Sequence, residues 1–282
     1  MRVRIVKYRG FSTRYIAQRL ERGFAAVGCE IVENCPDLSV VYYRWMRKDG
    51  PVTRPRAVWL VDEPYHWPHS RAWARGFDFV FVNDRVALDQ QPSGFNVYWL
   101  PAAQEPIRVT QPITCDVAFV GAASPNRLRL LTQIRDRLWN LDVRLVGPGW
   151  PRAWGPRDEW ITAEEAARYY AGARISLNIH RATRPGYQGS RPTGLNFRAF
   201  EIAAQGGFQI LDEREDRGLF IPSAATFDGT AEGLLERISY YLDHEEERRA
   251  SAEACRREVE AHTFAARARR ILEAMSALPS AA

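Results

Sequence analysis

The sequence predicts an α/β protein made of two consecutive, doubly wound halves. Three observations predict it. Short runs rich in Val, Phe, Tyr and Trp alternate with stretches of helical apolar spacing. The alternation breaks at residues 102–114, "AAQEPIRVTQPIT", which are aperiodic and proline-broken as a linker is, and then restarts. No internal repeat and no low-complexity tract offers a competing architecture.

In the first half "RVRIVKYR" reads as a strand, and Thr13 to Val27 carries helical spacing through Ile16, Leu20 and Phe24. The runs "CEIVE", "LSVVYYR", "AVWLVDE", "FDFVFVND" and "NVYWLP" follow as strands, with a short helix beginning near Pro68. They lack polar alternation, as parallel strands do when helices cover both faces of the sheet. In the second half "CDVAFVG" is a strand, Asn126 to Leu138 a helix, "VRLVGPG" a strand, Ala163 to Ala171 a helix and "ISLNIHR" a strand. The stretch "RPTGLNFRAFEIAAQGGFQILDE", residues 191–213, opens polar and glycine-marked, and becomes an apolar helix beginning near Thr193. Gly206 and Gly207 stop that helix, and a buried strand ends in Asp212 and Glu213. "ATFD", a helix from Thr230 to Leu242, a charged helix and a last helix from Phe264 to about Ala277 complete the chain. The charged run Glu245 to Arg257 reads as a solvated face and carries no site.

Composition narrows the function. With 46% apolar residues the chain can build real cores, yet no run approaches the roughly 20 apolar residues of a membrane helix. The start, "MRVRIVKYRG", lacks the features of a signal peptide, so a cytoplasmic protein is expected. Cys29, Cys35, Cys115 and Cys255 form no C-x-x-C pair and read as reduced, structural thiols. A net charge of +5 suits phosphate-bearing ligands and equally permits nucleic acid or an anionic membrane. The first strand–helix turn, "KYRGFST", has one glycine and no G-x-G-x-x-G, and no G-x-x-x-x-G-K-[ST] loop exists. Both absences count against a dehydrogenase or an NTPase.

The carboxyl ends of the strands hold the candidate residues, because doubly wound sheets bind ligands there. In "DVAFVGAASPNR", Gly121 would let a ligand approach the backbone and Arg127 would suit a diphosphate, though a plain turn with a surface Arg explains the same letters. The Gly147 turn in "VRLVGPGW" would admit a flat base, or is simply rigid. His180 and Arg181 end "LNIHR" as site residues or as satisfied structural ones. The helix start around Thr193, Gly194, Leu195 and Asn196 offers amides and a partial positive charge to an anion. Glu201, inside an apolar helix face, would hydrogen-bond a ribose diol or pair with Arg198. In "VWLVDEPYHW" the cluster Asp62, Glu63, Tyr65 and His66 would face a second substrate, or Asp62 would cap a helix. "FVND", with Asn83 and Asp84, repeats that arrangement more weakly.

Taken in order, "VWLVDEPYHW…FDFVFVND", "DVAFVGAASPNR", "RLVGPGW", "LNIHR", "NFRAFEIAAQGGFQILDE" and "YYLDHEEERRASAEACRREVEAHTFAAR" resemble the CgeB-like glycosyltransferases of spore maturation, over residues 57 to 272. The resemblance implies the GT-B fold: two Rossmann-like domains facing across a cleft, with a C-terminal helix crossing back to the first. Residues 1–110 with 264–282 would bind the acceptor, and 111–263 a nucleoside-diphosphate sugar. It implies a retaining transferase needing no bound metal and no other cofactor. Arg127, Arg198 or Arg181, and the amides of Gly194 and Leu195, would steady the departing diphosphate. Glu201 would hold the ribose, His180 would contact the sugar or the transferring hydroxyl, and Asp62 or His66 would position the acceptor. Many retaining relatives carry a further glutamate where Thr193 stands here, so sugar contacts must be redistributed. The acceptor could be a small molecule, a polysaccharide or a protein. A hydroxylated base in DNA, and a protein that binds nucleotide sugars without turnover, are the alternatives.

Overall fold

Both sheets of the computed structural model are parallel throughout their described pairings. The structure describes all residues except 7–10, 44–53, 62–69, 71, 73, 90–95, 106, 108, 183–190 and 278–282. The first sheet comprises β1 (Arg2–Val6), β2 (Glu30–Ile31), β3 (Leu38–Tyr43), β4 (Arg56–Leu60), β5 (Phe79–Val82) and β6 (Val97–Trp99), in the order β2-β1-β3-β4-β5-β6. The second comprises β7 (Cys115–Val120), β8 (Val143–Val146), β9 (Ala173–Asn178), β10 (Gln209–Asp212) and β11 (Ala225–Phe227), in the order β11-β10-β9-β7-β8. The helices among the described residues are α1 (Phe11–Ala26), α2 (Val86–Asp89), α3 (Pro125–Ile134), α4 (Ala163–Gly172) and α5 (Phe197–Ala204). They continue with α6 (Arg217–Phe220), α7 (Ala231–Asp243), α8 (Glu245–Glu258) and α9 (Phe264–Ser276). The short helix expected near Pro68 lies largely outside the described residues.

Two units divide the chain. One takes Met1–Ala103, Pro185–Leu195 and Ala261–Ala282; the other takes Gln104–Arg184 and Asn196–Glu260.

In the first unit β3, β4 and β5 are almost entirely inaccessible, with Val41, Val58, Leu60, Val80 and Val82 in one cluster. That burial on both faces explains their unbroken apolar runs. The last helix, α9, starts from a Thr263 N-cap whose hydroxyl accepts the Ala266 N–H. It lies on α1 at Gly23, where a Cβ would sit 2.7 Å from the Phe264 carbonyl oxygen. Phe264 meets Trp59 edge-on at 6.1 Å. The Arg267 guanidinium donates to Pro101 O and Ala102 O, both at 2.8 Å, and burial pushes its pKa down to about 10.

The second unit builds its core from Val117, Phe119, Ile134, Ile175, Leu177, Ile210, Leu234 and Ile238, between the sheet and its helices. Trp150 belongs to this core at 3% exposure. Its indole N–H donates to Gly121 O at 2.9 Å. The helix α4 begins with a full capping box, Thr162 and Glu165. The charged α8 matches its expected solvated face, with only Arg248, Ala252 and Cys255 buried. One boundary differs from expectation. The helix placed near Thr193 starts at Phe197, because Asn196 is extended and its side chain caps the Ala199 N–H at 3.0 Å.

Candidate functional site

In the second sheet β8, next after β7 in the chain, lies on one side of it, and β9, next after β8, lies on the other, so the topological switch point lies between β7 and β9. Open parallel sheets leave a crevice at the carboxyl ends there. In this unit those ends are Gly121, Ile179–His180 and Asp212, with the start of α5 beside them.

Gly121 has no side chain for a reason visible in its surroundings. A Cβ there would collide with the Arg198 guanidinium. Arg198 is held flat by Nε donating to Val120 O at 2.6 Å and Nη1 donating to Asn178 Oδ1 at 3.2 Å. Its guanidinium carbon lies 5.0 Å over the Phe119 ring. Among the described residues no carboxylate pairs with Arg198. A guanidinium fixed at a switch point is what an anion needs.

Asn178 links this arginine to the rest. Its Oδ1 also accepts from Asn196 Nδ2 at 2.9 Å, and its Nδ2 donates to Gln209 Oε1 at 3.1 Å. Gln209 Nε2 in turn donates to Ala199 O, inside α5. Side chains from β9, β10 and α5 thus lock together below the crevice.

His180, 4% exposed, is wired on both ring nitrogens. Asp212 Oδ1 accepts from the His180 backbone N–H at 2.6 Å and lies 2.9 Å from Nδ1. The Asn196 N–H donates to Nε2 at 3.2 Å. Nε2 is therefore the acceptor and Nδ1 carries the proton. Burial pushes the imidazole pKa down against the pull of Asp212. For Asp212, burial works against the charge, but His180 and Arg214 outweigh it, so the carboxyl stays well below the usual range. Through the Asn196 N–H the His180 ring orients the start of α5.

Three further candidates have contacts of their own. Arg127, 9% exposed, donates Nε to Ile179 O at 2.9 Å and Nη1 to Ala122 O at 2.8 Å. It ties the end of β9 to the turn after β7, where a diphosphate donor was expected. The Gly194 amide is likewise engaged, donating to Asp84 Oδ2 at 2.9 Å. Gly147 is required by packing: at φ +122 its Cβ would lie 2.6 Å from the Gly121 carbonyl.

Thr193 also turns to Asp84, its hydroxyl 3.2 Å from Oδ1, which accepts the Val86 N–H as well. Burial raises the Asp84 pKa against these hydrogen bonds. Leu195 is buried, Arg181 is half-buried at the end of β9, and Glu201 is half-buried in the second turn of α5. Asp62, Glu63, Tyr65 and His66 lie outside the described residues. Asn126, Asn178, Gln209 and Asp212 were not singled out as site residues. Asn126 Nδ2 donates to His180 O at 2.9 Å while its Oδ1 accepts from Ser124. The signal that could have found Asp212 is its place at a strand's carboxyl end, the criterion that picked His180.

The buried imidazoles make a stability prediction. The unfolded chain takes up protons near pH 6.5 that folded His180 and His262, both lowered by burial, refuse. Melting temperature is expected to stay level above about pH 6.5 and to fall as the medium is acidified. Below about pH 4 the depressed Asp212 carboxyl adds a second loss of the same sign. Replacing His180 with Gln should flatten the first decline in a melting series, and an unchanged slope would contradict the assignment.

The chain belongs to the glycosyl transferase-like family, whose model matches residues 127–273, just over half of its 282. Family and fold together make it a glycosyltransferase of the GT-B architecture. It is similar to the spore protein CgeB of Bacillus subtilis (strain 168), at 26% identity over 248 residues, covering 78% of this chain and 74% of that one. Among solved structures it is similar to an alpha-glucosyltransferase in complex with UDP, with TM-score 0.67, 11% identity and coverage of 98% and 99%. It is also similar to Anabaena HepE in complex with UDP and glucose, with TM-score 0.67, 10% identity and coverage of 98% and 99%. No described helix is long and apolar enough to cross a membrane.

Proposed function

We propose that the enzyme transfers a sugar from a nucleoside-diphosphate sugar to an acceptor hydroxyl, with the donor held at the switch point of the second sheet. The observation that carries this reading is Arg198, locked by Val120 O and Asn178 Oδ1 against the bare backbone of Gly121, with no carboxylate partner among the described residues. Three positions further along the same face of α5 stands Glu201. A guanidinium and a carboxylate at that spacing match the adjoining diphosphate and ribose of a nucleotide. As the glycosidic bond breaks, negative charge gathers on the departing phosphate, and a cation already in place stabilises it without reorganising.

In this reading residues 111–263 hold the donor, and 1–110 with 264–282 receive the acceptor. It includes retention at the anomeric carbon and transfer without a bound metal, as the CgeB resemblance implies. Anomeric NMR of the product and activity in EDTA test those two parts.

The direct test is a thermal-shift screen of UDP, GDP, ADP and dTDP and their sugars against the wild type, Arg198→Ala and Glu201→Ala. One base is expected to raise the wild-type melting temperature. Both variants should lose most of that shift, as loss of a charge-assisted contact worth roughly 1.5–3 kcal/mol requires. Equal protection of all three proteins would remove these residues from the site.

A further inference from the structure

The second unit carries another recess, which shares no residue with the crevice between β7 and β9. It is a cleft of about 380 Å³ between the end of α3 and the edge strand β8, walled by Leu131, Leu145 and Trp154 and bordered by Arg135, Asp136 and Trp139. That volume falls within the range of small-molecule sites, roughly 300–1,000 Å³. Trp139 is 84% exposed, more than any other large apolar side chain among the described residues. A single exposed apolar residue is ordinary; the setting of this one is not. The 3₁₀ turn Arg135–Leu138 runs into Trp139 and eclipses side chains three apart, so Asp136 and Trp139 share a face. The turn is fixed from both sides. Leu138 is buried in the core, and Arg137 Nη1 donates to both carboxylate oxygens of Glu232 at 2.8 and 2.7 Å. The Arg135 guanidinium lies 5.5 Å over the Trp154 ring and donates to Ala153 O at 3.3 Å. Trp154 in turn packs against the buried Trp150, their ring centroids 6.3 Å apart. The Asp136 carboxylate stands almost wholly in water, 3.7 Å from Arg135 Nη1.

We propose that this cleft binds a neutral oligosaccharide, with one sugar ring stacked on Trp139 and its hydroxyls bridging Arg135 and Asp136. A pyranose presents C–H groups on its faces and hydroxyls around its edge, and those hydroxyls both donate and accept. An indole offers the flat apolar surface that the C–H face needs, at little cost in side-chain freedom. The rim supplies the other half, a guanidinium that only donates beside a carboxylate that only accepts. An anion would meet the Asp136 charge and a cation the Arg135 charge, whereas a hydroxyl uses both. The site stands without the donor reading above, since none of its residues belongs to that crevice. For a glycosyltransferase, such a hold raises the effective concentration of a saccharide acceptor or product.

The experiment titrates maltotriose, cellotriose, xylotriose and chitotriose, without nucleotide, into protein labelled on nitrogen, and follows the tryptophan indole N–H signals by NMR. The Trp139 signal is the one missing from Trp139→Ala. At least one trisaccharide is expected to shift it in a titration that saturates. By saturation-transfer NMR, Trp139→Ala should raise the half-saturating concentration about tenfold or more, and Asp136→Ala about two- to fivefold. Trp139→Tyr, which keeps a stacking ring, should retain most of the binding. All three variants should melt with the wild type, because both side chains stand in water in the protein alone. A Trp139 signal that no trisaccharide moves, or equal binding by wild type and Trp139→Ala, overturns the proposal. Displacement of the sugar by UDP, GDP, ADP or dTDP overturns it too, since the sugar would then occupy the donor crevice. Self-association of the wild type that Trp139→Ala abolishes would give the indole to a second copy of the chain instead.

Discussion

Gly147→Ala is expected to destabilise the protein on the order of 3–5 kcal/mol, a large share of the ~5–15 kcal/mol typical of a folded domain. Two effects add. At φ +122 the backbone is in a region that L side chains rarely adopt, which costs about 1–3 kcal/mol. The new methyl would also sit 2.6 Å from the Gly121 carbonyl carbon and oxygen. Backbone cannot rotate aside as a flexible side chain does, so overpacking contributes about 1–3 kcal/mol more. Gly121 is not free to retreat. Its N–H donates to Val146 O at 2.7 Å and its carbonyl accepts from Trp150. Gly149→Ala is the internal control: its φ is +86, but the nearest atom to a Cβ is 3.7 Å away, so about 1 kcal/mol is expected. Urea titrations of both variants check this. Equal midpoints for the two would show that the approach of the β7 and β8 ends is not the constraint.

Asp212→Ala is expected to cost about 3–5 kcal/mol in stability, the range for removing one partner of a buried charged pair. Four donor contacts lose their acceptor at once: the His180 N–H, the His180 ring, and two nitrogens of Arg214. The damage should also reach function, since the His180 ring loses the contact that fixes its tautomer. Nε2 then no longer reliably accepts from Asn196, and the start of α5 loosens. Asp212→Asn keeps an oxygen for His180 and turns its amide on Arg214, so a smaller loss of about 1–2 kcal/mol is expected. Melting curves and nucleotide titrations of the pair give the check. An alanine variant with wild-type stability and affinity would show that His180 is held by its burial alone.

Legibility in the sequence follows the range of the interactions concerned. A strand such as "FVFV" announces itself because both faces are buried, so every residue in the run is apolar. The glycines at 121 and 147 were legible as special positions, since a turn after a strand that needs bare backbone has few other solutions. The helix start was misplaced by four residues. Thr193 and Asn196 are both capping types, and it is Asn196 that is extended and accepts the Ala199 N–H. The resemblance to CgeB-like enzymes reached the family without these details, because ordered motifs survive while individual contacts drift.

The sequence by itself determined the α/β class, the two halves and the strand ends where polar groups gather, because periodicity and local turn chemistry are properties of neighbouring residues. Which polar groups are left half-buried at the strand ends was decided only by tertiary structure. Arg127 and His180 are buried and bonded within the protein, and the Gly194 amide is taken by Asp84, whereas Arg198 is held in place yet only half-buried. Buried hydrogen-bonding groups must find partners, and those partners are assigned by the packing of β7, β9, β10 and α5, which no local pattern encodes.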